Sequence, residues 1–288
     1  MKLAVVIATF GRPEHVTRLL AQLEQQTRLP DAVIISAPDA KHVPNSIACT
    51  FPVTSVFGKT GLPAQRNIAL DVAADRFDIV TFFDDDFIPE DTYLAGVSTA
   101  FEQQPDWAVV TGRVLKDGAT TAGLTWDEGI QALREAGPAA ETGGVEKLCG
   151  YGCNMSIRAA FIGDLRFDER LVLYGWQEDV DFTIQLRAKG RVVALHSIRG
   201  VHLGVKSGRV SGVRFGYSQV ANPIYLIRKG TVPLTFALSL IGKNLLANLA
   251  RSLWPESFVD RRGRLRGNLL AISHVARGRV EPEYILEI

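Results

Sequence analysis

The run Ile79-Val80-Thr81-Phe82-Phe83 passes directly into Asp84-Asp85-Asp86, and this junction limits the possible folds more than any other stretch of the chain. β-Branched and aromatic residues in a row specify a strand, and the acidic triplet marks where it ends. In an open α/β sheet that end is the carboxyl edge, where ligands bind. Three adjacent anions repel one another unless they share something positive. A hard divalent cation, Mg²⁺ or Mn²⁺, suits them, because it takes oxygen ligands and keeps positions open for phosphates. The plainer alternative is a solvated acidic turn ahead of Pro89.

The surrounding pattern supports such a sheet. Strands are expected over residues 5–9, 32–36 and 79–83, and helices over 14–26 and 64–74. That βαβ rhythm gives an α/β, Rossmann-like, mostly parallel sheet flanked by helices. A strand over 109–114 follows, then a Gly- and Ala-rich stretch over 117–144 that reads as a lid or a surface insertion. Regular structure resumes with a strand over 154–157, a helix over 178–189 capped by Gly190, and a strand over 191–195. No internal repeat or low-complexity tract is present.

Composition narrows the setting. At 288 residues and 47% hydrophobic, the chain has ample material for a core without disulfide staples. Three cysteines, Cys49, Cys149 and Cys153, fit a reducing compartment, and no second pair follows Cys149 and Cys153 to complete a zinc site. The apolar start is too short and too soon broken for a secretory signal, and no apolar run approaches the roughly 18 residues of a membrane span. The expected location is cytoplasmic, with the inner face of the plasma membrane as a peripheral site.

Charge is divided unevenly. Through Gly204 there are 19 Lys+Arg against 26 Asp+Glu, and beyond it 13 against 5, so the tail is basic although the net charge is only +1. Residues 232–254 combine the apolar stretch 234–241 with Lys243 and Arg251, and Arg261, Arg262, Arg264 and Arg266 follow. An apolar face with a cationic flank suits an interfacial helix resting on anionic lipid, and equally a core or subunit-contact helix. No nucleic-acid partner is expected.

Three further segments fall at the same sheet edge. Thr9-Phe10-Gly11-Arg12-Pro13 joins the first strand to the first helix, where backbone N–H groups and the Thr9 hydroxyl could meet a nucleotide. Lys59-Thr60-Gly61-Leu62-Pro63-Ala64-Gln65-Arg66-Asn67 lacks the spaced glycines of a P-loop but presents Arg66, whose planar fork suits phosphate or carboxylate. Tyr174-Gly175-Trp176-Gln177-Glu178-Asp179-Val180-Asp181 sets carboxylates at a helix N-terminus, where one of them could take a proton from a bound hydroxyl. Acidic capping is the alternative there.

As an ordered set, these segments together with Gly152-Cys153-Asn154-Met155-Ser156-Ile157-Arg158 resemble family 2 glycosyltransferases over roughly residues 1–205. The resemblance implies a GT-A fold over 1–205, followed by a basic helical extension over 206–288. It implies inverting transfer of a sugar from a UDP-, dTDP- or GDP-sugar donor. In that scheme Thr9, Arg12, Arg66, Asp84 and Asp85 contact the donor, and Asp86 with Asp84 holds the Mg²⁺ or Mn²⁺. Asp179 is the general base, with Glu178 its neighbour and rival, while Trp176 and Asn154 line the sugar pocket. His202 falls where some relatives place a late metal or phosphate contact, though a single His after a strand is also commonly just packed. Where relatives read the base with an Asp ending the second strand, this chain has Ile35-Ser36-Ala37-Pro38-Asp39, so Asp39 or Ser36 takes that position. With the basic tail, the acceptor expected is a glycan or a polyprenyl-diphosphate-linked oligosaccharide of cell-surface polysaccharide or glycolipid assembly. The rival readings are a non-catalytic, metal-dependent sugar- or nucleotide-binding module, and an aspartyl-phosphate phosphotransferase, whose acidic site is expected after the first strand.

Overall fold

The computed structural model describes residues 1–139, 143–207, 210–254 and 256–288. The first half contains β1 (Leu3–Ala8), α1 (Pro13–Leu23), β2 (Ala32–Ala37), β3 (Val53–Phe57), α2 (Leu62–Ala73), β4 (Ile79–Asp84), β5 (Phe87–Pro89), α3 (Tyr93–Gln103) and β6 (Trp107–Asp117). The second half contains α4 (Trp126–Glu135), β7 (Val145–Glu146), β8 (Met155–Arg158), α5 (Glu178–Leu186) and β9 (Arg191–His202). It closes with three helices, α6 (Gly212–Lys229), α7 (Leu234–Leu253) and α8 (Arg261–Ala276).

The strands form one sheet in the order β3-β2-β1-β4-β8-β6-β9-β5, with β7 also on β9. The first four are parallel, β8 runs antiparallel between β4 and β6, and β6 and β9 are parallel to each other. Helices cover both faces, so the central strands are apolar along their whole length. Leu3, Val5 and Ile7 pack with Leu19 and Leu23 of α1 and Phe101 of α3, while the alternate Ala4 and Val6 pack with Leu70 of α2 and Phe182 of α5.

This topology fixes where a ligand can enter. The chain leaves β1 toward β2 and β3, then returns on the other side of β1 as β4. The direction of winding reverses between β1 and β4, which opens a crevice at their carboxyl ends. Ala8 and Asp84 are partners in the ladder, so Thr9 and the acidic triplet form the two lips.

Several expected elements differ in detail. The stretch over 117–144 contains the capped helix α4, packed through Leu133 against Val201 and Leu203, and its residues 140–142 lie outside the described residues. The helix starting at Glu178 ends at Leu186, and Gly190 is not a left-handed cap. Gly190 instead permits a close approach, since a Cβ there would stand 2.5 Å from the Asp106 carbonyl oxygen.

α6 and α7 pack with Val180 and Ile184 of α5, and α8 packs on α6 and α7. α6 crosses α8 so closely that a Cβ on Gly216 would meet the Arg264 carbonyl at 2.1 Å. A buried amide ladder joins the three: Asn248 donates to Gln219 and Asn268 at 2.8 Å, and Asn268 donates to the Gly216 carbonyl at 2.7 Å. Lys229 of α6 reaches Asp168 and the buried Asp181 of α5, both at 2.7 Å. Asn222 donates to the Trp176 carbonyl at 2.8 Å, tying α6 to the acidic loop.

Candidate active site

The acidic triplet divides its labour. Asp85 is fully buried and turned inward, accepting from the Thr9 hydroxyl at 2.6 Å and pairing with Arg12 at 2.9 Å. It braces the β1 loop against β4, and burial pushes its carboxyl up against the pull of Arg12. Asp86 accepts from the Val205 N–H at 2.7 Å and lies 3.5 Å from both Arg12 and the His202 Nε2. Burial works against its charge, but His202 and Arg12 hold its carboxyl well below the usual carboxylate range. Asp84 is partly open, with Oδ2 3.9 Å from His202 Nε2.

His202 ends β9, and its Nδ1 is 2.9 Å from Asp117, which also accepts from the Tyr151 hydroxyl at 2.7 Å. Burial opposes its charged form, yet the bonds to Asp117 and Asp86 hold the imidazole up at about 10. Asp84, Asp86 and His202 each offer a ligand atom, all within 4.8 Å of one another. Two carboxylates, one imidazole and a carboxylate orienting the far ring nitrogen match the donor chemistry of Mn²⁺ and related divalent ions. A bound divalent ion would neutralise a leaving diphosphate as a Lewis acid.

A second acidic group lies across the crevice. Arg66 of α2 is fully buried, bonds to the Glu178 carboxylate, and donates to Asp84 at 3.0 Å and to the Gly152 carbonyl at 2.8 Å. Its guanidinium lies between the Phe82 and Phe167 rings, 5.4 and 5.5 Å from their centroids. Arg66, expected at the nucleotide, has its fork engaged within the protein, where it bridges the two acidic motifs. Burial pushes the Glu178 carboxyl up in spite of Arg66, and one of its oxygens has no partner. Asp179 accepts from the backbone N–H of Gly152 and of Val180, both at 2.8 Å, and burial raises its carboxyl above the ordinary value.

The loop leading to these carboxylates is under backbone strain. Leu173 and Gln177 have φ of 60° and 74°, a left-handed conformation costing about 1–3 kcal/mol each in residues other than glycine. The Leu62 N–H holds the Leu173 carbonyl at 2.8 Å, and Asn222 holds the loop at Trp176. Trp176 stands on the cleft wall with its ring edge-on to Phe215. Gln177 is 5% exposed on the same wall, and neither amide atom has a partner. It was not foreseen, because nothing in the sequence marks a glutamine that will be left unpaired.

The acidic loop, Asp84 of the triplet and the C-terminal helices line one cleft of about 550 Å³. Arg66, Asp84, Asp117, Glu178, Asp179 and His202 line it, with Phe236, Leu240 and Asn244 from α7 and Arg261 and Arg264 from α8 opposite. Thr9, Arg12, Asp85 and Asp86 stand beside Asp84 and His202 without being part of this lining, and two more expected residues lie elsewhere. Asn154 is fully buried, accepting from Thr111 at 2.7 Å and donating to the Gly112 carbonyl at 3.0 Å, so its amide holds β6 against the start of β8 and does not line the cleft. Asp39 lies past β2, where its carboxylate accepts from the Lys41 N–H at 3.0 Å and pairs with the Lys41 ammonium at 2.9 Å. The acidic triplet follows the fourth strand, unlike the pattern of an aspartyl-phosphate site.

No protein-family model matches the chain, and no curated protein matches it. Solved structures do. Residues 1–349 of S. aureus TarS in complex with UDP-GlcNAc match with a TM-score of 0.54 at 14% identity, covering 97% of this chain and 93% of that one. The mannosyltransferase PcManGT from Pyrobaculum calidifontis, in complex with GDP-Man and Mn²⁺, matches with a TM-score of 0.54 at 14% identity, covering 99% and 78%. A longer S. aureus TarS chain matches with a TM-score of 0.53 at 17% identity, and this chain spans only 45% of its length. Likeness at such identity concerns the fold. The protein has the GT-A-like fold of these glycosyltransferases.

Proposed function

We propose that the protein is an inverting, metal-dependent glycosyltransferase acting on a nucleotide-sugar donor. One observation carries this reading: a single cleft, lined by Asp84 and His202 of the Asp84, Asp86 and His202 cluster, also exposes a carboxylate, Asp179, whose proton affinity is raised by burial. Displacement at an anomeric carbon needs charge stabilisation on the leaving-group side and a base on the acceptor side, and the two ends of the cleft offer one each. Asp84, Asp86 and His202 would hold Mg²⁺ or Mn²⁺, the imidazole favouring Mn²⁺. Asp179 would take the acceptor proton, and Arg66 would keep Glu178 and Asp84 in place. Thr9, Arg12 and Asp85 would shape the loop that receives the donor, with Trp176 beneath a sugar face and Gln177 offering its free amide to a hydroxyl.

TarS with UDP-GlcNAc and PcManGT with GDP-Man and Mn²⁺ support a nucleotide-sugar donor and a divalent cation here by analogy of fold. We read residues 1–205 as the transferase unit and 206–288 as an extension that walls its acceptor side. The acceptor we propose is a lipid-linked glycan, such as a polyprenyl-diphosphate oligosaccharide of cell-surface polysaccharide or glycolipid assembly, met by a peripheral enzyme at the cytoplasmic membrane face. No helix among the described residues is long and apolar enough to cross a membrane.

The test is thermal shift of the purified protein against UDP, GDP, dTDP and CMP, with and without Mn²⁺, repeated on Asp86→Ala. A metal-dependent rise for one nucleotide, lost in the variant, is expected. No rise with any nucleotide would reject the proposal.

A further inference from the structure

α7 presents three different sides. Ala237, Ile241 and Asn248 are buried against the other helices, while Phe236, Leu240 and Asn244 line the cleft. The remaining side is apolar and bare: Leu238 and Leu249 are 50% and 55% exposed, and Leu246 and Leu253 are each 68% exposed. At 3.6 residues per turn these four leucines fall within about 80° of one another, so they form one stripe. Trp254, just past the end of α7, is 76% exposed, and Leu269 of α8 is 58% exposed. Scattered apolar side chains on a surface need no explanation, but a stripe running the length of a helix is an interaction site.

The charges around the stripe specify its occupant. Neither α7 nor α8 contains an Asp or Glu. Lys243 flanks the stripe on α7, and Arg262 donates to the Ser252 carbonyl at 3.2 Å, which puts its guanidinium at the stripe's C-terminal end. One turn further along α8 is Arg266, exposed like Arg262, and no described residue forms an ion pair with either. Of the acids near in sequence, Asp260 caps α8 by accepting from the Gly263 N–H at 2.7 Å, and Glu256 is engaged by Arg251 and Arg261. An apolar stripe rimmed by uncompensated cations complements the anionic surface of a lipid bilayer, where leucines enter the interface and arginines stay among the headgroups.

We propose that the outer face of α7, with the adjoining arginines of α8, docks the protein on an anionic bilayer. Because the side of α7 turned away from the stripe walls the cleft, the docked helix stands between the membrane and Asp179, with Phe236 and Leu240 on its cleft side. An acceptor with a lipid tail and a polar head would then pass its head along α7 into the cleft. That last step rests on the glycosyltransferase reading, whereas the docking itself does not.

The experiment is co-sedimentation of the full chain with phosphatidylcholine vesicles, with and without phosphatidylglycerol, at low and high ionic strength. Binding to the anionic vesicles alone, weakened by salt, is the expected result. Leu246→Glu/Leu249→Glu should abolish it. Arg262→Gln/Arg266→Gln should weaken it on the order of 25-fold, at about fivefold per cation. Both pairs are exposed, and circular dichroism melting checks that each variant folds as the parent does. Failure of the parent to bind anionic vesicles at low salt would overturn the proposal. So would a dimer that Leu246→Glu/Leu249→Glu converts to monomer without vesicle binding, since a second copy would then occupy the stripe. Nucleotide binding by the same samples reports on the glycosyltransferase reading separately.

Discussion

The two acidic ends of the cleft share their composition but not their surroundings. At the triplet, cationic side chains and a backbone N–H hold Asp86 ionised even though it is buried. At the α5 end, Glu178 and Asp179 have a single arginine between them, and burial prevails. Carboxylates whose environments drive their proton affinities apart take different chemical roles. Under the function proposed above, one end remains charged, as a cation's ligands must. The other would accept a proton at modest energetic cost, as a general base must.

The sharpest way to break this comparison is Asp179→Asn. It preserves the size of the side chain and one of the two backbone contacts, since an amide nitrogen cannot accept, but removes the base, so transfer should fall about 10²–10⁴-fold while metal-dependent nucleotide binding survives. Equal loss of binding would mean that Asp179 holds the donor instead. The parent's pH profile sharpens the same point. Only the ionised carboxylate accepts a proton, and its folded-state value is raised, so kcat/KM should begin to fall at a higher pH than an ordinary Asp near 3.8 would give. A rate flat down to that value would contradict the assignment.

At the cation end the expected effects are smaller and graded. Asp117→Asn leaves Asp84, Asp86 and His202 intact and loosens the ring that Asp117 orients, so Mn²⁺ affinity by titration calorimetry should drop about 10–100-fold. Asp86→Ala removes a ligand and should cost more. Equal effects would show that the histidine needs no orienting partner.

How legible these ends were depended on burial. β1, α1, α2 and β4 could be read directly, because a sheet covered on both faces writes unbroken apolar runs and an amphipathic helix writes Val16, Leu19, Leu20 and Leu23. The acidic triplet and Asp179 stood out because charge directly after such elements must face an edge. His202 was ambiguous for a structural reason. β9 was expected to stop at Leu195, yet after a register shift opposite Gly112 and Arg113 it runs on to His202 and carries that side chain to the triplet. Asn154 misled because a motif position cannot say whether an amide faces solvent or satisfies a neighbouring strand. β3 escaped notice as a five-residue, half-exposed edge strand, and α7 could not be divided by sequence into its buried, cleft-facing and bare sides.

The smallest expected effect concerns the joint between these ends and the C-terminal helices. Lys229 neutralises the fully buried Asp181 and also pairs with Asp168, so Lys229→Met leaves one buried carboxylate without its cation. Discounted for the partial exposure of Lys229, the cost should be about 2 kcal/mol in urea unfolding. Its pH dependence identifies the pair. Although burial works against its charge, Lys229, Tyr225 and the Arg170 N–H depress the folded-state value of Asp168. Its contribution is therefore complete above the unfolded value of 3.8 and is lost as pH falls through the depressed one. Although burial opposes its charge too, both carboxylates raise the value of Lys229, whose contribution is complete below 10.5 and is lost only as pH rises through the raised value. The gap between parent and Lys229→Met should thus be widest between these limits and narrow in acid. A gap that stays constant into acid would assign the loss to packing of the lysine stem against α5, and the ion pairs would then not be what fastens α6 to the acidic loop.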